Sequence, residues 1–339
     1  MNARRRSTGL VLALAMLITA CASTPDERAD RPGWIDRPGD DYPADLYVVG
    51  LGEGANAERA RNRARADLAK AFEVEVRAES LDIEEFGRIG PAASEQGQLS
   101  TRVEREIRTR TDVVLAGVDI AESWHDAEDD VHYALAVINR PRAASRLRDE
   151  IRQLDRTTDR HIDEAAAAED PLRRLRALDQ AIDVQVRREA LNRQLRVVGP
   201  GGRGIDAPTP LADLAAQYRR SASGIRLATR AEGLAREDIG PALAAAVTDA
   251  GFGSASDGAD YEVVLQLDFD DIGKRSDWYW YRGYLHLIVQ DAQGQVHASD
   301  RWAVRASATD RATAWRRTVD EAASGLDSRL HAALLEGRE

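Results

Sequence analysis

Two histidines near the middle of the chain are the residues best suited to holding a metal ion. His125 and His132 flank a stretch that contains Asp126, Glu128, Asp129 and Asp130. Carboxylate oxygens suit a hard cation such as calcium, and paired imidazoles suit zinc. The spacing matches neither a calcium-binding loop nor a zinc site. Because a solvated turn between two strands also needs polar residues, the sequence favours a hairpin turn here and predicts no metal site.

A glycine-rich pattern follows the first apolar run. Residues 50–55 read Gly-Leu-Gly-Glu-Gly-Ala, which matches the G-x-G-x-x-G/A spacing of dinucleotide-binding loops. The elements after this pattern do not continue as the alternating strands and helices of a dinucleotide fold. We therefore expect these glycines to serve a tight strand-to-helix turn where two backbones pack closely, and we expect no cofactor.

The spacings that mark common hydrolases are missing from the sequence. It contains no Gly-x-Ser-x-Gly, no His-Glu-x-x-His and no histidine in a recognisable triad pattern. We therefore predict that the protein is not an enzyme. A hydrolase or metal enzyme would require a cleft that brings His125 or His286 next to carboxylates.

An aromatic cluster begins a long predicted strand. It comprises Trp278, Tyr279, Trp280 and Tyr281, followed by Tyr284 and His286. Side chains alternate between the two faces of a strand. If one face holds Tyr279, Tyr281, Leu285 and Leu287 in the core, the other holds Trp278, Trp280, Tyr284 and His286. That second set could bind a peptide, a glycan or another protomer if the face is open, or it could be covered by helices.

The amino terminus has the parts of a secretion signal. A basic stretch at residues 4–6 precedes an apolar run from Leu10 to Ile18 and the small residues Thr19 and Ala20. The apolar run is far shorter than the roughly 18 to 20 residues that a membrane-spanning helix needs. Residues 1–20 are therefore predicted to be a signal peptide.

The residues Ile18-Thr19-Ala20-Cys21 resemble the lipobox of bacterial lipoproteins. The resemblance implies cleavage before Cys21 and attachment of diacylglyceryl and acyl groups to that residue. Cys21 is the only cysteine, so it cannot form an internal disulfide. Two or three acyl chains, at about 0.8 kcal/mol per buried methylene, would hold the protein firmly on a membrane. Ala22 implies sorting to the outer membrane, with the periplasmic face as the expected side.

The charge of the mature chain limits its partners. Removal of residues 1–20 takes away three arginines and no acidic residue, so the formal net charge changes from −11 to −14. This charge opposes binding to nucleic acid and to anionic lipid headgroups. The expected partners are the membrane, through the acyl groups, and envelope proteins or peptidoglycan, with a homo-oligomer left open.

Hydrophobic periodicity predicts an α+β chain, with two sheet-and-helix domains around a helical hairpin. The predicted segments are a signal peptide over residues 1–20, the lipidated cysteine and tether over 21–33, a first domain over 34–140, a helical hairpin over 141–199 and a second domain over 200–339.

Within the first domain, the run from Leu46 to Val49 predicts a strand, and the spacing of Ala60, Ala64 and Leu68 predicts a helix. Over residues 72–86 the apolar period changes to two, which predicts a strand. Two apolar runs around the polar residues 126–130 predict a β-hairpin.

Later elements are predicted from the same signals. Pro171 predicts the start of the second helix of the hairpin. The second domain is expected to contain a helix over residues 239–250, strands over 261–269, 278–290 and 296–306, and one terminal helix over 310–335.

The order of elements in the first domain resembles the Lpp-twenty family of bacterial surface lipoproteins over about residues 32–140. The matching segments are Trp34-Ile35 after Pro-Gly, Tyr47 to Gly52, a helix containing Ala60, Ala64, Ala66 and Leu68-Ala69, and Val74-Glu75-Val76. This resemblance, and a looser one to flagellar outer-membrane lipoprotein and T-ring domains, implies a scaffold domain without a cofactor. The implied function is non-enzymatic assembly in the envelope, with the flagellar base as one destination. The alternative is a periplasmic binding module that recognises glycan or regulates a cell-wall synthase.

Overall fold

The computed structural model of the chain describes residues 31–87, residue 106 and residues 117–336. The predicted signal peptide, Cys21 and most of the predicted tether lie outside the described residues. Within these ranges the chain folds into helices and two β-sheets, which confirms the predicted α+β class. None of the described helices is both long enough and apolar enough to cross a membrane.

The first sheet has three antiparallel strands in the order β1–β3–β2. They are β1 (Tyr47–Gly54), β2 (Asp119–Asp126) and β3 (Val131–Asn139). The predicted hairpin is confirmed, because β2 and β3 pair on either side of the polar turn. Helix α2 (Ala57–Gly87) packs on one face of this sheet, and the short helix α1 (Gly33–Asp36) packs on the other through Trp34 and Ile35.

The strand predicted over residues 72–86 is wrong, because α2 continues through it to Gly87. Phe72 and Val76 are 0% and 1% exposed, and they extend the four-residue spacing of the buried residues Ala60, Ala64 and Leu68. Val74, between them, is 57% exposed. A two-residue alternation over a short window therefore fits one face of a helix as well as a strand, and here the helical face prolongs the core.

Gly50 and Gly52 set the distance between β1 and α2. A Cβ atom added to Gly52 would overlap the backbone of Ala60 and Ala64, and one added to Gly50 would overlap the backbone of Leu68. The helix backbone therefore rests directly on the strand at these positions. The predicted close packing is confirmed, although both glycines lie within β1 and not in the turn that follows it.

Two long helices, α3 (Arg140–Ala167) and α4 (Pro171–Val198), form the predicted helical hairpin. Asp170 caps α4 by accepting a hydrogen bond from the backbone N–H of Arg173 at 3.1 Å, and Pro171 occupies the first turn, as predicted. Helix α4 belongs to two cores. Leu172 and Leu175 pack beneath the second sheet, whereas the buried residues nearer its carboxyl end pack beneath the first.

The second sheet has five strands in the order β5–β4–β6–β7–β8. They are β4 (Arg226–Gly233), β5 (Gly253–Ser254), β6 (Tyr261–Arg275), β7 (Trp278–Asp291) and β8 (Val296–Ala308). Strand β4 runs parallel to β5 and β6, whereas β6, β7 and β8 are antiparallel. The three antiparallel strands were predicted; β4, β5 and the preceding helix α5 (Leu211–Gly224) were not.

Helices α6 (Arg236–Asp249), α7 (Arg311–Ala323) and α8 (Leu326–Glu336) contribute to the core on one face of the second sheet. The single terminal helix predicted over residues 310–335 is wrong, because Gly325, with a φ of 74°, separates α7 from α8. A positive φ does not fit a right-handed helix, so the chain changes direction there. Most side chains on the opposite face of the sheet are exposed or half-buried.

Candidate binding surface

The alternation of β7 places the aromatic residues on two sides of the second sheet. Leu285 and Leu287 are fully buried and Tyr281 is 9% exposed, whereas Trp278 and Tyr284 are 42% and 51% exposed. Trp280 and His286 are half-buried and lie on the same side as Tyr284. We call this side, made by β6, β7 and β8, the outer face.

Two arginines of β8 stack on the aromatic rings of the outer face. The guanidinium carbon of Arg305 lies 4.5 Å from the ring centroid of Trp280, and that of Arg301 lies 4.7 Å from the ring centroid of Tyr284. In the register of the sheet, Trp280 pairs with Ser307 and Tyr284 pairs with Ala303. Each arginine is therefore the diagonal neighbour of its ring, a position from which a long side chain reaches across the strands.

Charges on the outer face are separated by strand. Asp268 and Asp270 lie on β6, and Arg301 and Arg305 lie on β8, with the aromatic residues of β7 between them. Arg282 of β7 pairs with Asp270 at 3.6 Å. Among the described residues, no carboxylate forms an ion pair with Arg301 or Arg305, and no cation forms one with Asp268. Both sides of the face thus keep unneutralised charge.

A polar network borders the outer face towards β4. The Arg230 guanidinium donates to Glu262 at 2.8 Å, and the Gln290 amide donates to the same carboxylate at 2.8 Å. The hydrogen bond from Arg230 lowers the pKa of Glu262, and Gln290 lowers it further. Arg230 also pairs with Glu232. Two carboxylates of this network therefore share one arginine, whereas Arg301 and Arg305, beside Tyr284 and Trp280, have no carboxylate partner among the described residues.

The other end of the outer face is set by the tip of the β6–β7 hairpin. Ser276 and Asp277 have φ values of 47° and 68°, which are typical of a tight two-residue turn that matches the twist of the strands. Asp271 accepts a hydrogen bond from the backbone N–H of Gly273 at 2.8 Å, which lowers the pKa of Asp271, and it also pairs with Arg311 of α7. These contacts fix the hairpin against α7 and so fix the position of Trp278.

The structure brings together all four residues of the binding surface proposed from the sequence, and Cys21 lies outside the described residues. Trp278, Trp280, Tyr284 and His286 share the outer face. Arg301, Arg305, Asp268 and Asp270 were not anticipated as part of it. The alternation of Arg301, Ala303 and Arg305 in a predicted strand was the available signal.

The histidine pair lies far along the chain from this face, on the β2–β3 hairpin. The rings of His125 and His132 stack with centroids 4.1 Å apart, and His125 Nε2 lies 3.0 Å from a carboxylate oxygen of Asp130. The described residues contain no group of three or more His, Cys, Asp or Glu side chains that could hold a metal ion.

Comparison with known proteins gives no family. No family model matches the sequence, and no curated protein matches it. The resemblance to the Lpp-twenty family therefore stays a prediction.

Several solved structures are similar to the chain. The secreted protein HP1454 of Helicobacter pylori covers 86% of this chain and 99% of its own, with 14% identity and a TM-score of 0.47. A minor lipoprotein of Acinetobacter baumannii covers 32% and 90%, with 13% identity and a TM-score of 0.28. The lipoprotein GNA1162 of Neisseria meningitidis covers 33% and 96%, with 10% identity and a TM-score of 0.22. All three are secreted or lipoprotein-type proteins, and none of them assigns a function to this chain.

Proposed function

We propose that this chain is a non-enzymatic lipoprotein of the outer membrane that scaffolds or assembles a structure of the bacterial envelope. Its anchor is the diacylglyceryl and acyl groups on Cys21, and its body faces the periplasm. The signal-like residues 1–20 and the lipobox resemblance at residues 18–21 support the anchor. The flagellar base is one destination compatible with the resemblance of the first domain.

The open outer face is the observation that carries the scaffolding role. Aromatic residues and arginine are the types enriched where proteins bind one another, and here they are arranged on a rigid sheet. Tyr284 is 51% exposed although its strand neighbour Leu285 is fully buried. The fold therefore obtains its core from the opposite face, which leaves the outer face available for a partner.

The predicted tether gives this face access to partners near the membrane. Twelve residues separate Cys21 from Trp34. Fully extended, twelve residues span at most about 40 Å. The acidic body is repelled by anionic headgroups, so we expect it to stand off the bilayer and to contact proteins or the cell wall.

Native gel electrophoresis of gently solubilised envelopes tests the scaffolding role. We expect the wild-type protein in a complex larger than the monomer, and we expect the double variant Trp280→Ala/Tyr284→Ala to lose that complex. Leu234→Ala is the matched control, because Leu234 is a 75% exposed apolar residue outside the outer face. A free wild-type monomer, or a complex that survives the double substitution, would contradict the proposal.

A second candidate function is glycan recognition, favoured by the exposure of Trp278 (42%) and Tyr284 (51%). Exposed aromatic rings offer an apolar surface beside polar groups, which suits the C–H face of a sugar ring. Sedimentation with purified peptidoglycan sacculi tests it. Retention of the wild type that is lost in Trp278→Ala/Trp280→Ala supports this function, and equal retention of both proteins, or none, discards it.

A further inference from the structure

In the register of the second sheet, residues of β6, β7 and β8 lie side by side in rows across the outer face, and we call these rows rungs. One rung holds Asp270, Arg282 and Arg305; the next holds Asp268, Tyr284 and Ala303; a third holds Gln266, His286 and Arg301. Each rung runs from β6 through β7 to β8. The β6 side of the rungs is acidic, the β8 side is basic, and β7 lies midway between them.

We propose that the outer face binds the outer face of a second copy of the chain, about a two-fold axis parallel to β7. A two-fold interface uses the same patch on both copies, so the patch must complement itself. Rotation about an axis parallel to the strands exchanges the two sides of the sheet. It therefore places the acidic side of one copy over the basic side of the other.

The positions of the charges favour an axis parallel to the strands over one at right angles to them. A two-fold axis at right angles to the strands would place β6 over β6 and β8 over β8. The aspartates of β6 would then face the aspartates of the other copy, and Arg301 and Arg305 would face its arginines, and like charges brought together at an interface cost free energy. The parallel axis avoids both repulsions.

Rotation about an axis parallel to the strands does not shift residues along the strand direction, so each rung of one copy faces the same rung of the other copy. Arg305 of one copy therefore faces Asp270 of the other. Asp268 faces Ala303 and lies within diagonal reach of both Arg301 and Arg305, which have no carboxylate partner among the described residues of their own chain.

Strand β7 lies on the axis itself. Trp280 and Tyr284 meet their own copies there and bury apolar surface that is open in the single chain. Arg282 also meets its copy, but each Arg282 guanidinium is paired with Asp270 of its own chain at 3.6 Å. The centre of the interface is thus aromatic, with the unneutralised charges on its two sides.

The size of the face predicts a weak dimer. Ten residues of β7 across three strands cover roughly 500 Å² for each copy. This is at the low end for a specific interface. The inference rests on the proposed function at this point, because tethering both copies to one membrane raises their effective concentration and favours the dimer.

A charge exchange tests the interface with the purified full-length lipoprotein in excess detergent. The variants are Arg305→Asp, Asp270→Arg and the two together, and sedimentation equilibrium over a range of concentrations measures the dimer dissociation constant. We expect each single substitution to weaken the dimer at least about tenfold, and the double variant to recover to within a few-fold of the wild type. A wild type that stays monomeric, single variants that dimerise normally, or a double variant as weak as the singles would overturn the proposal.

Thiol cross-linking with a short bismaleimide in intact envelopes tests the axis. With Cys21 lipidated, an introduced cysteine is the one free thiol. His286→Cys lies on the axis, where packed sheets are roughly 10 Å apart, so the two facing thiols should each add across one maleimide double bond of a short bismaleimide, which joins the two copies. Ala303→Cys faces Asp268 of the other copy and should not cross-link. Equal behaviour of the two variants would contradict this axis. If native gels still show a larger complex, the scaffolding role survives and another partner occupies the face.

Discussion

The guanidinium carbon of Arg305 lies 4.5 Å from the ring centroid of Trp280, and Arg301 repeats this relation with Tyr284 at 4.7 Å. Both arginines are diagonal neighbours of their rings across β7 and β8. Stacking restricts the long arginine side chains before any partner arrives. Less side-chain entropy is then lost on binding, so the outer face is already arranged for contact.

The Arg305–Trp280 contact predicts a measurable coupling. We expect a double-mutant cycle with Trp280→Ala and Arg305→Ala to give a coupling of about 0.5 to 1 kcal/mol in the free energy of unfolding, the range for an exposed cation–π pair. Urea denaturation at low protein concentration measures it on the monomer. Additive substitutions would show that the contact does not form in solution.

The close approach of β1 and α2 predicts a large effect of a single methyl group. Gly52→Ala places a Cβ atom against the backbone of Ala60 and Ala64, which must move apart, so we expect a loss of about 3 kcal/mol in the free energy of unfolding. Gly39→Ala is the control, because nothing lies within 4 Å of its added Cβ atom. Similar stabilities of the two variants would refute the packing described here.

The buried ion pair of Arg188 and Asp155 predicts that removal of one partner lowers the free energy of unfolding more than replacement of both. The Arg188 side chain is 1% exposed, donates to Asp155 at 2.8 Å, and also donates to the backbone oxygens of Ile205 and Asp206 at 2.9 Å. Asp155→Ala leaves a buried cation without its carboxylate, which typically costs about 3 to 5 kcal/mol. We expect Asp155→Ala/Arg188→Met to cost less than Asp155→Ala alone in thermal or urea unfolding. A larger cost for the double variant would contradict this account.

The lowered pKa of Glu262 predicts that the free energy of unfolding depends on pH. The hydrogen bond from Arg230 lowers the pKa of Glu262 below its ordinary value of 4.5. The folded state therefore gains stability from this carboxylate above the unfolded pKa, and it loses that stability as the pH falls through the folded pKa. We expect Glu262→Gln to unfold at lower urea concentration than the wild type at pH 7, with a difference that shrinks below about pH 4.5. A difference independent of pH would contradict the assignment.

The composition of the outer face was only partly predictable from the sequence. The alternation of β7 separates Tyr284 from Leu285 and Leu287 because alternation is a local property of one strand. Arg301 and Arg305 enter the site through the register between β7 and β8. That register is set by pairing and packing along the whole hairpin, which local periodicity does not report.

The fold was predictable where short segments determine the structure, and it was not predictable where contacts between distant parts of the chain determine it. The hairpin turn at residues 126–130 and the Asp170–Pro171 cap were predictable because short segments determine them. Strand β4 escaped prediction because its Arg, Thr and Glu residues are ordered by parallel pairing with β6, a contact between distant parts of the chain. Residues 72–86 were misassigned because the core beneath α2 decided between two periods that a short window fits equally well.

Labelling with radioactive palmitate, followed by mass spectrometry of the mature amino terminus, tests the central claim that the chain is a lipid-anchored envelope protein. We expect label in the wild type, no label in Cys21→Ser, and a mature chain that begins at Cys21 with its sulfur carrying a diacylglyceryl group. An unmodified Cys21 thiol, or a mature chain that retains residues 1–20, would contradict the anchor and with it the proposed function.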